Sequence, residues 1–238
     1  MDDVVVVEVE VVRLNPTKRR GLVVVGVDRG TGRPIGLPSG RLRPGEDPVE
    51  AACRVMAEQT GISDFLHRPV PLGYVQYAER QRDTATLTLR FAVLGGIPNT
   101  SRSTIDFAEV DPADESLGAR VEHPFTVLAA RRAAAEVLEM QPIAPRLLHP
   151  DGASFTLADL MFVYQQVLGR EVTIDTSNFR RKVEAAAGFV ERVGPSFDDR
   201  PVVNVAQRGA GRGRPAQRYV LGEASVLEPP IRFSTSRR

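Results

Sequence analysis

Two hydrophobic periods divide the first 140 residues. Apolar and polar positions alternate in Val4–Val12, where Glu8 and Glu10 interrupt a run of valines, and again in TLTLRFAVL at 86–94. A period of two predicts strands with one buried face. GLVVVGVD at 21–28 and the segment 70–77 are further strand candidates. Helical spacing takes over at about 48–60, where Val49, Ala52, Cys53 and Met56 share a face, and at about 124–139. Asp47 suits an N-cap, Pro48 suits the first helical position, Glu50 completes a capping box and Gly61 closes the helix. Strands and helices mixed in this order predict an α+β sheet domain.

The pattern changes after QPIAPRLLHPDGA at 141–153, which holds three prolines and a glycine. Proline fixes φ and cannot continue a helix, so this stretch predicts a boundary, with domains at 1–147 and 148–238. Thr156 and Asp159 are spaced as a capping box, with Phe155 and Leu160 at the hydrophobic-staple positions. The helix that follows runs through LADLMFVYQQVL to Gly169. A second helix is expected from Thr176 or Ser177 through NFRRKVEAAA to Gly188. Strand-like FVERV and QRYVL enclose a long segment containing QRGAGRGRPA. Helix, turn, helix and a two-stranded wing is the winged helix-turn-helix order. Beyond residue 222 no element is predicted.

Composition narrows the function classes. A formal net charge of +1 over 238 residues argues against a bulk polyanion binder but leaves room for local basic patches. A single cysteine, Cys53, allows neither an internal disulfide nor a thiolate metal site, and its place on an apolar helix face reads as packing. The amino-terminal run starts acidic and alternates, so it reads as a strand and not as a signal peptide. No segment reaches the roughly 18 apolar residues of a membrane span, and a cytoplasmic protein is expected. Only Lys18 and Lys182 are lysine; every other basic residue is arginine.

The basic positions gather in the second half. On the helix from Ser177, the inward face is Phe179, Val183 and Ala186, while Asn178, Arg181 and Lys182 fall on another face with Arg180 beside them. Asparagine can read adenine and arginine guanine, and neighbouring cations hold phosphates. The wing adds Arg208, Arg212, Arg214 and Arg218 with almost no acid until Glu223. Its three alternate glycines do not lead from a strand into a helix, so they are not a dinucleotide fingerprint. RGRP at 212–215 is similar to an AT-hook core, whose arginines enter the narrow minor groove. A duplex DNA interface at Ser177, Asn178, Arg180, Arg181, Lys182, Arg208, Arg212, Arg214 and Arg218 is the expectation.

Residues 40–62, GRLRPGEDPVEAACRVMAEQTGI, resemble the Nudix hydrolase box G-x5-E-x7-R-E-U-x-E-E-x-G-U. Gly40, Glu46, Arg54, Met56, Glu58, Gly61 and Ile62 fall in register. The resemblance implies a Nudix fold, a mixed sheet between helices, for roughly residues 1–140. In that family the glutamates of the box bind divalent cations, but two of the positions here are Val55 and Gln59. Magnesium wants several oxygen ligands, and Glu58 alone would hold it poorly. Without metal there is no evident source of Lewis acidity or of a low-pKa water, so no catalytic residue, metal or cofactor is expected. Arg41, Arg43, Arg54 and Glu58 remain as a candidate ligand-binding set, because guanidinium groups suit diphosphate oxygens.

A degenerate Nudix box followed by TLADLMFVYQQVLGR, NFRRKV and GRGRPAQRY is similar to the Nudix-related transcriptional regulators of NAD metabolism, the NrtR family. That resemblance spans almost the whole chain. It implies a bacterial homodimeric repressor that binds a palindromic operator and senses ADP-ribose or a related NAD-derived nucleotide. A sugar-responsive regulator of the same architecture, an active Nudix diphosphatase with a basic appendage, and an RNA-binding accessory protein are the competing readings.

Overall fold

The computed structural model describes residues 4–16, 23–27, 34–79, 84–95, 106–110, 124–169, 172–193 and 216–233. The chain divides into two compact units, Met1–Ala134 and Ala135–Arg238. Both mix helices with sheet, so the class is α+β.

The first unit is built on one seven-stranded sheet. Its strands are β1 (Val4–Leu14), β2 (Val23–Val27), β3 (Pro34–Gly36), β4 (Ser39–Arg41), β5 (Val70–Glu79), β6 (Thr84–Leu94) and β7 (Asp106–Val110). The order along the sheet is β3-β2-β1-β6-β5, with β4 also pairing β1 and β7 pairing β2. β1 lies at the centre and runs parallel to β6 from Val4↔Thr84 to Leu14↔Leu94. Its half from Val9 onward is buried on both sides, as a central strand covered on two faces should be. Glu10 therefore does not mark a solvent face. It is 6% exposed and pairs with Arg90, its cross-strand neighbour, at 2.8 Å.

Helix α1 (Pro48–Thr60) covers this sheet. Asp47 Oδ1 accepts from the backbone N–H groups of Val49 and Glu50, and Gly61, at φ 72°, closes the helix in the left-handed region. Ala51, Ala52, Val55 and Met56 pack with Val9, Val11, Ile62, Phe91 and Val93. Cys53 stands at the side of that core, half-buried, and burial pushes its thiol pKa up. The first half of helix α2 (Pro124–Met140) also falls within this unit.

The proline-rich stretch at 141–153 is not a plain linker. Helix α3 (Ala144–Leu148) forms inside it, with Pro145 in the first turn and Ile143, Ala144, Leu147 and Leu148 buried in the second unit. Next come β8 (Phe155–Thr156), α4 (Leu157–Leu168), α5 (Thr176–Ala185), β9 (Val190–Val193) and β10 (Arg218–Leu221). The capping box forms: Thr156 Oγ1 accepts from the Asp159 N–H, and Asp159 Oδ2 accepts from the Thr156 N–H. β8, β10 and β9 make a three-stranded antiparallel sheet in that order. Helix α5 starts from Asp175, whose side chain accepts from the Asn178 N–H. It ends at Ala185, earlier than the sequence pattern suggests, because Ala186 is extended and the chain turns so that Phe189 is fully buried. Among the described residues, no helix is long and apolar enough to cross a membrane.

Candidate functional site

In the first unit, the loop between β4 and α1 is organised by Arg54. Its Nε donates to Glu46 Oε1 at 2.6 Å and its Nη2 to Glu46 Oε2 at 2.8 Å, a bidentate pair. The same Nη2 reaches the carbonyl of Arg41 at 3.0 Å, and Nη1 reaches Glu58 Oε2 at 3.2 Å. Four of the five guanidinium N–H groups are thereby committed to the protein. The paired guanidinium holds the Glu46 carboxyl at a pKa of about 2, with the Arg43 N–H adding to the effect. Arg43 is exposed and closes the cluster, with its Nη2 3.0 Å from Glu58 Oε1. Arg41, Arg43, Arg54 and Glu58 thus come together at one loop, with Arg54 as its brace.

The two departures from the box are built into the fold. Val55 is 1% exposed within the α1–sheet core. It packs against Gly40, where a Cβ would stand 3.0 Å from Val55 Cγ2, a tight contact. Gln59 Nε2 donates to the Ser39 carbonyl, and its Oε1 accepts from the Ser39 N–H at 3.3 Å, which fastens α1 to β4. Glu58 is already shared between Arg43 and Arg54. A buried valine, an amide engaged with backbone and one paired carboxylate do not fit a divalent cation. Among the described residues, no three His, Cys, Asp or Glu side chains converge as a metal site.

Behind α1, Val49, Glu50, Cys53, Phe65, His67, Arg68 and Pro69 line a cavity of about 330 Å³. His67 Nε2 accepts from the Leu94 N–H at 3.0 Å, so Nδ1 carries the proton and donates to the Arg68 carbonyl at 2.6 Å. Burial lowers the His67 pKa, consistent with a neutral structural imidazole.

In the second unit, α5 turns Phe179 and Val183 inward and exposes Ser177, Arg180 and Arg181. Thr176, Ser177, Arg180, Arg181, Glu184 and Ala185 line an open groove along it. Arg181 Nη2 donates to Asn178 Oδ1 at 2.9 Å, so these two side chains form one polar unit. Glu184 is held by Arg192 of β9 at 2.7 Å. Lys182 is placed differently from its neighbours: its ammonium donates to the Arg232 carbonyl and lies 4.9 Å from the centre of the Phe233 ring. Arg218 is turned inward, with Nε donating to Ser154 Oγ and Nη2 to the Ser154 carbonyl, both at 2.8 Å. That bridge ties β10 to the segment before β8 and engages the guanidinium of a wing residue expected in the DNA interface. Arg208, Arg212 and Arg214 lie outside the described residues.

Residues 152–221 match the family model of the NrtR DNA-binding winged helix domain. The match covers both helices and all three strands from β8 to β10, so the second unit holds a winged helix similar to that family's. Solved structures extend the likeness over nearly the whole chain. Shewanella oneidensis NrtR complexed with a 27mer DNA is similar with a TM-score of 0.63 and 21% identity, covering 96% of this chain and 99% of the other. A further crystal structure of Shewanella oneidensis NrtR gives 0.62 and 19%, covering 96% and 100%. A MutT/nudix family protein from Enterococcus faecalis gives 0.57 and 16%, covering 94% and 89%. The fold is therefore a Nudix-like unit followed by a winged helix. No curated protein sequence matches the chain.

Sequence reasoning missed three contacts here: Gln59 with Ser39, Arg218 with Ser154, and Lys182 with the carboxy-terminal residues. The first two partners lie 20 and 64 residues away, and the third 50, so no local pattern signals them.

Proposed function

We propose that the chain is a transcriptional regulator that binds duplex DNA through α5 and its wing, represses genes of NAD metabolism and uses its Nudix-like unit as a sensor. The observation that carries this reading is the exposed Ser177, Arg180 and Arg181 on the second helix of an NrtR-type winged helix. Asn178 and Arg181 are the base-reading candidates, with Arg180 and the wing residues Arg208, Arg212 and Arg214 on phosphate or in the minor groove. A homodimer on a palindromic operator supplies two such helices.

The effector is ADP-ribose or a related NAD-derived nucleotide. Arg41 and Arg43 are exposed beside Arg54, and the Arg43–Glu58 pair is a surface ion pair worth about 0–1 kcal/mol, cheap to exchange for a diphosphate. Glu58, freed from Arg43, can accept from a ribose hydroxyl. Ligand favouring one arrangement of the dimer would change DNA affinity by linkage.

Two measurements test this. Duplex DNA and RNA of matched sequence are titrated against the full chain and against Arg181→Ala. Wild type should prefer duplex DNA, and the variant should lose about 1–3 kcal/mol of binding. A preference for RNA, or no loss in Arg181→Ala, overturns the DNA face. ADP-ribose, NAD and dinucleotide polyphosphates are then incubated with protein and magnesium or manganese. Binding without turnover is expected, and robust hydrolysis would make the chain a diphosphatase instead.

A further inference from the structure

The residues after the wing are bound to the winged helix along their described length. Gly222 N–H donates to the Phe189 carbonyl, and Ala224 N–H to the Gly188 carbonyl. A Cβ on Gly222 would stand 2.2 Å from the Gly188 oxygen, so this approach requires glycine. Leu227 and Ile231 are buried, and their N–H groups donate to the carbonyls of Met140 and Glu139, in the last turn of α2. Those carbonyls have no partner within the helix, so residues 227–231 act as its cap. The Phe233 N–H then donates to Glu139 Oε1 at 3.2 Å.

Phe233 joins a cluster of three rings. It stacks on Phe179 of α5 at 6.1 Å and meets Tyr164 of α4 edge-on at 5.7 Å, while Tyr164 and Phe179 are 5.5 Å apart. Tyr164 is anchored in turn by its hydroxyl, which donates to the Leu138 carbonyl at 2.9 Å. Phe179 is the main inward residue of α5, so whatever fixes its ring fixes the roll of the helix that carries Arg180 and Arg181. From the other side, Lys182 donates to the Arg232 carbonyl and covers the Phe233 ring. An ammonium over an aromatic face is attracted to the ring quadrupole.

We infer that Leu227–Phe233 is a strap that sets the pose of the recognition helix, and that Lys182 is a positioning residue clamping this strap and not a phosphate contact. This rests on the reading of α5 as the DNA-binding helix. A lysine neutralising a phosphate releases a counterion and steepens the salt dependence of binding, whereas a lysine that holds the helix in place affects affinity and leaves that slope alone.

The full chain, Lys182→Met, Phe233→Ala and Arg181→Ala are titrated with one duplex at several salt concentrations. Lys182→Met and Phe233→Ala should each weaken binding about tenfold, with the wild-type slope of log K against log salt. The double variant should be no weaker than the worse single one, because both break the same clamp. Arg181→Ala reports on the reading beneath: if wild type binds no duplex, or Arg181→Ala binds as wild type does, that reading fails. If it stands, two results overturn the strap. One is a slope reduced by about one in Lys182→Met, as a lost phosphate contact gives. The other is wild-type affinity in Lys182→Met. Should Phe233→Ala not fold, Lys182→Met, a change on the outer face of α5, decides alone.

Discussion

Gln59 meets the backbone of Ser39 twice, once as donor and once as acceptor, which an amide can do and a carboxylate cannot. A glutamate would keep the acceptor, lose the donor and set a carboxylate oxygen against the Ser39 carbonyl. Gln59→Glu should therefore cost about 1–2 kcal/mol in urea unfolding, and an unchanged midpoint would refute the clamp. Val55→Glu is harsher: at 1% exposure the new carboxylate would enter the apolar core between α1 and the sheet. An uncompensated buried charge costs about 3–5 kcal/mol. Restoring the acids of a metal box here removes stability before it can restore chemistry. Glu46 makes a separate prediction. Its folded pKa, about 2, lies below the ordinary value of 4.5, because Arg54 and the Arg43 N–H favour the charged form. The pair's contribution to stability is complete above pH 4.5 and is lost as pH falls toward 2. Protection of the β4–α1 loop amides, taken relative to the intrinsic exchange rate at each pH, should fall across that window in wild type and change less in Glu46→Gln.

At the scale of elements, helices with explicit punctuation were legible and those without it were not. Asp47 and Gly61 bound α1 where the sequence puts its ends, and Thr156, Asp159 and Gly169 do the same for α4. Thr156→Ala removes the Oγ1 half of that capping box and leaves Asp159 accepting from the backbone N–H of residue 156, and it should lower stability by about 1 kcal/mol by thermal melting; no change would mean that the Asp159 half and the packing of Phe155 and Leu160 hold the start of α4. Helix α3 escaped because Pro145 read as a breaker, although proline in a first turn removes an N–H that has no partner there anyway. β3, β4 and β8 are two or three residues long, too short for a period to show, and they form through their neighbours. Glu46 and Arg54 were legible as positions of one spaced pattern, and the structure joins them as the loop's brace. The inward turn of Arg218 was not, because Ser154 reaches it only once β8 and β10 have paired. A basic residue in a wing says nothing about which side of the strand it takes.

For the whole molecule, the two units make different demands on a regulator. The winged helix offers exposed cations on one helix, and a single such module makes few phosphate contacts, enough for weak and salt-sensitive binding. Doubling it in the proposed homodimer turns the second half-site into an intramolecular event, so affinity depends on geometry as well as on contacts. Two recognition helices held by one dimer can enter successive major grooves only when the half-sites lie about one helical turn apart, about 10–10.5 base pairs, or a multiple of it. Inserting about five base pairs between half-sites rotates one of them to the far face of the duplex. Binding of the full chain should then fall to the level of a single half-site, and inserting a full turn should recover part of it. If affinity is indifferent to the insertion, the chain reads DNA one module at a time, and a sensor acting through the dimer has no lever. If affinity follows the helical turn, ADP-ribose should act on the spaced site and leave the single half-site untouched, because only the paired geometry differs between the two arrangements that the ligand would discriminate.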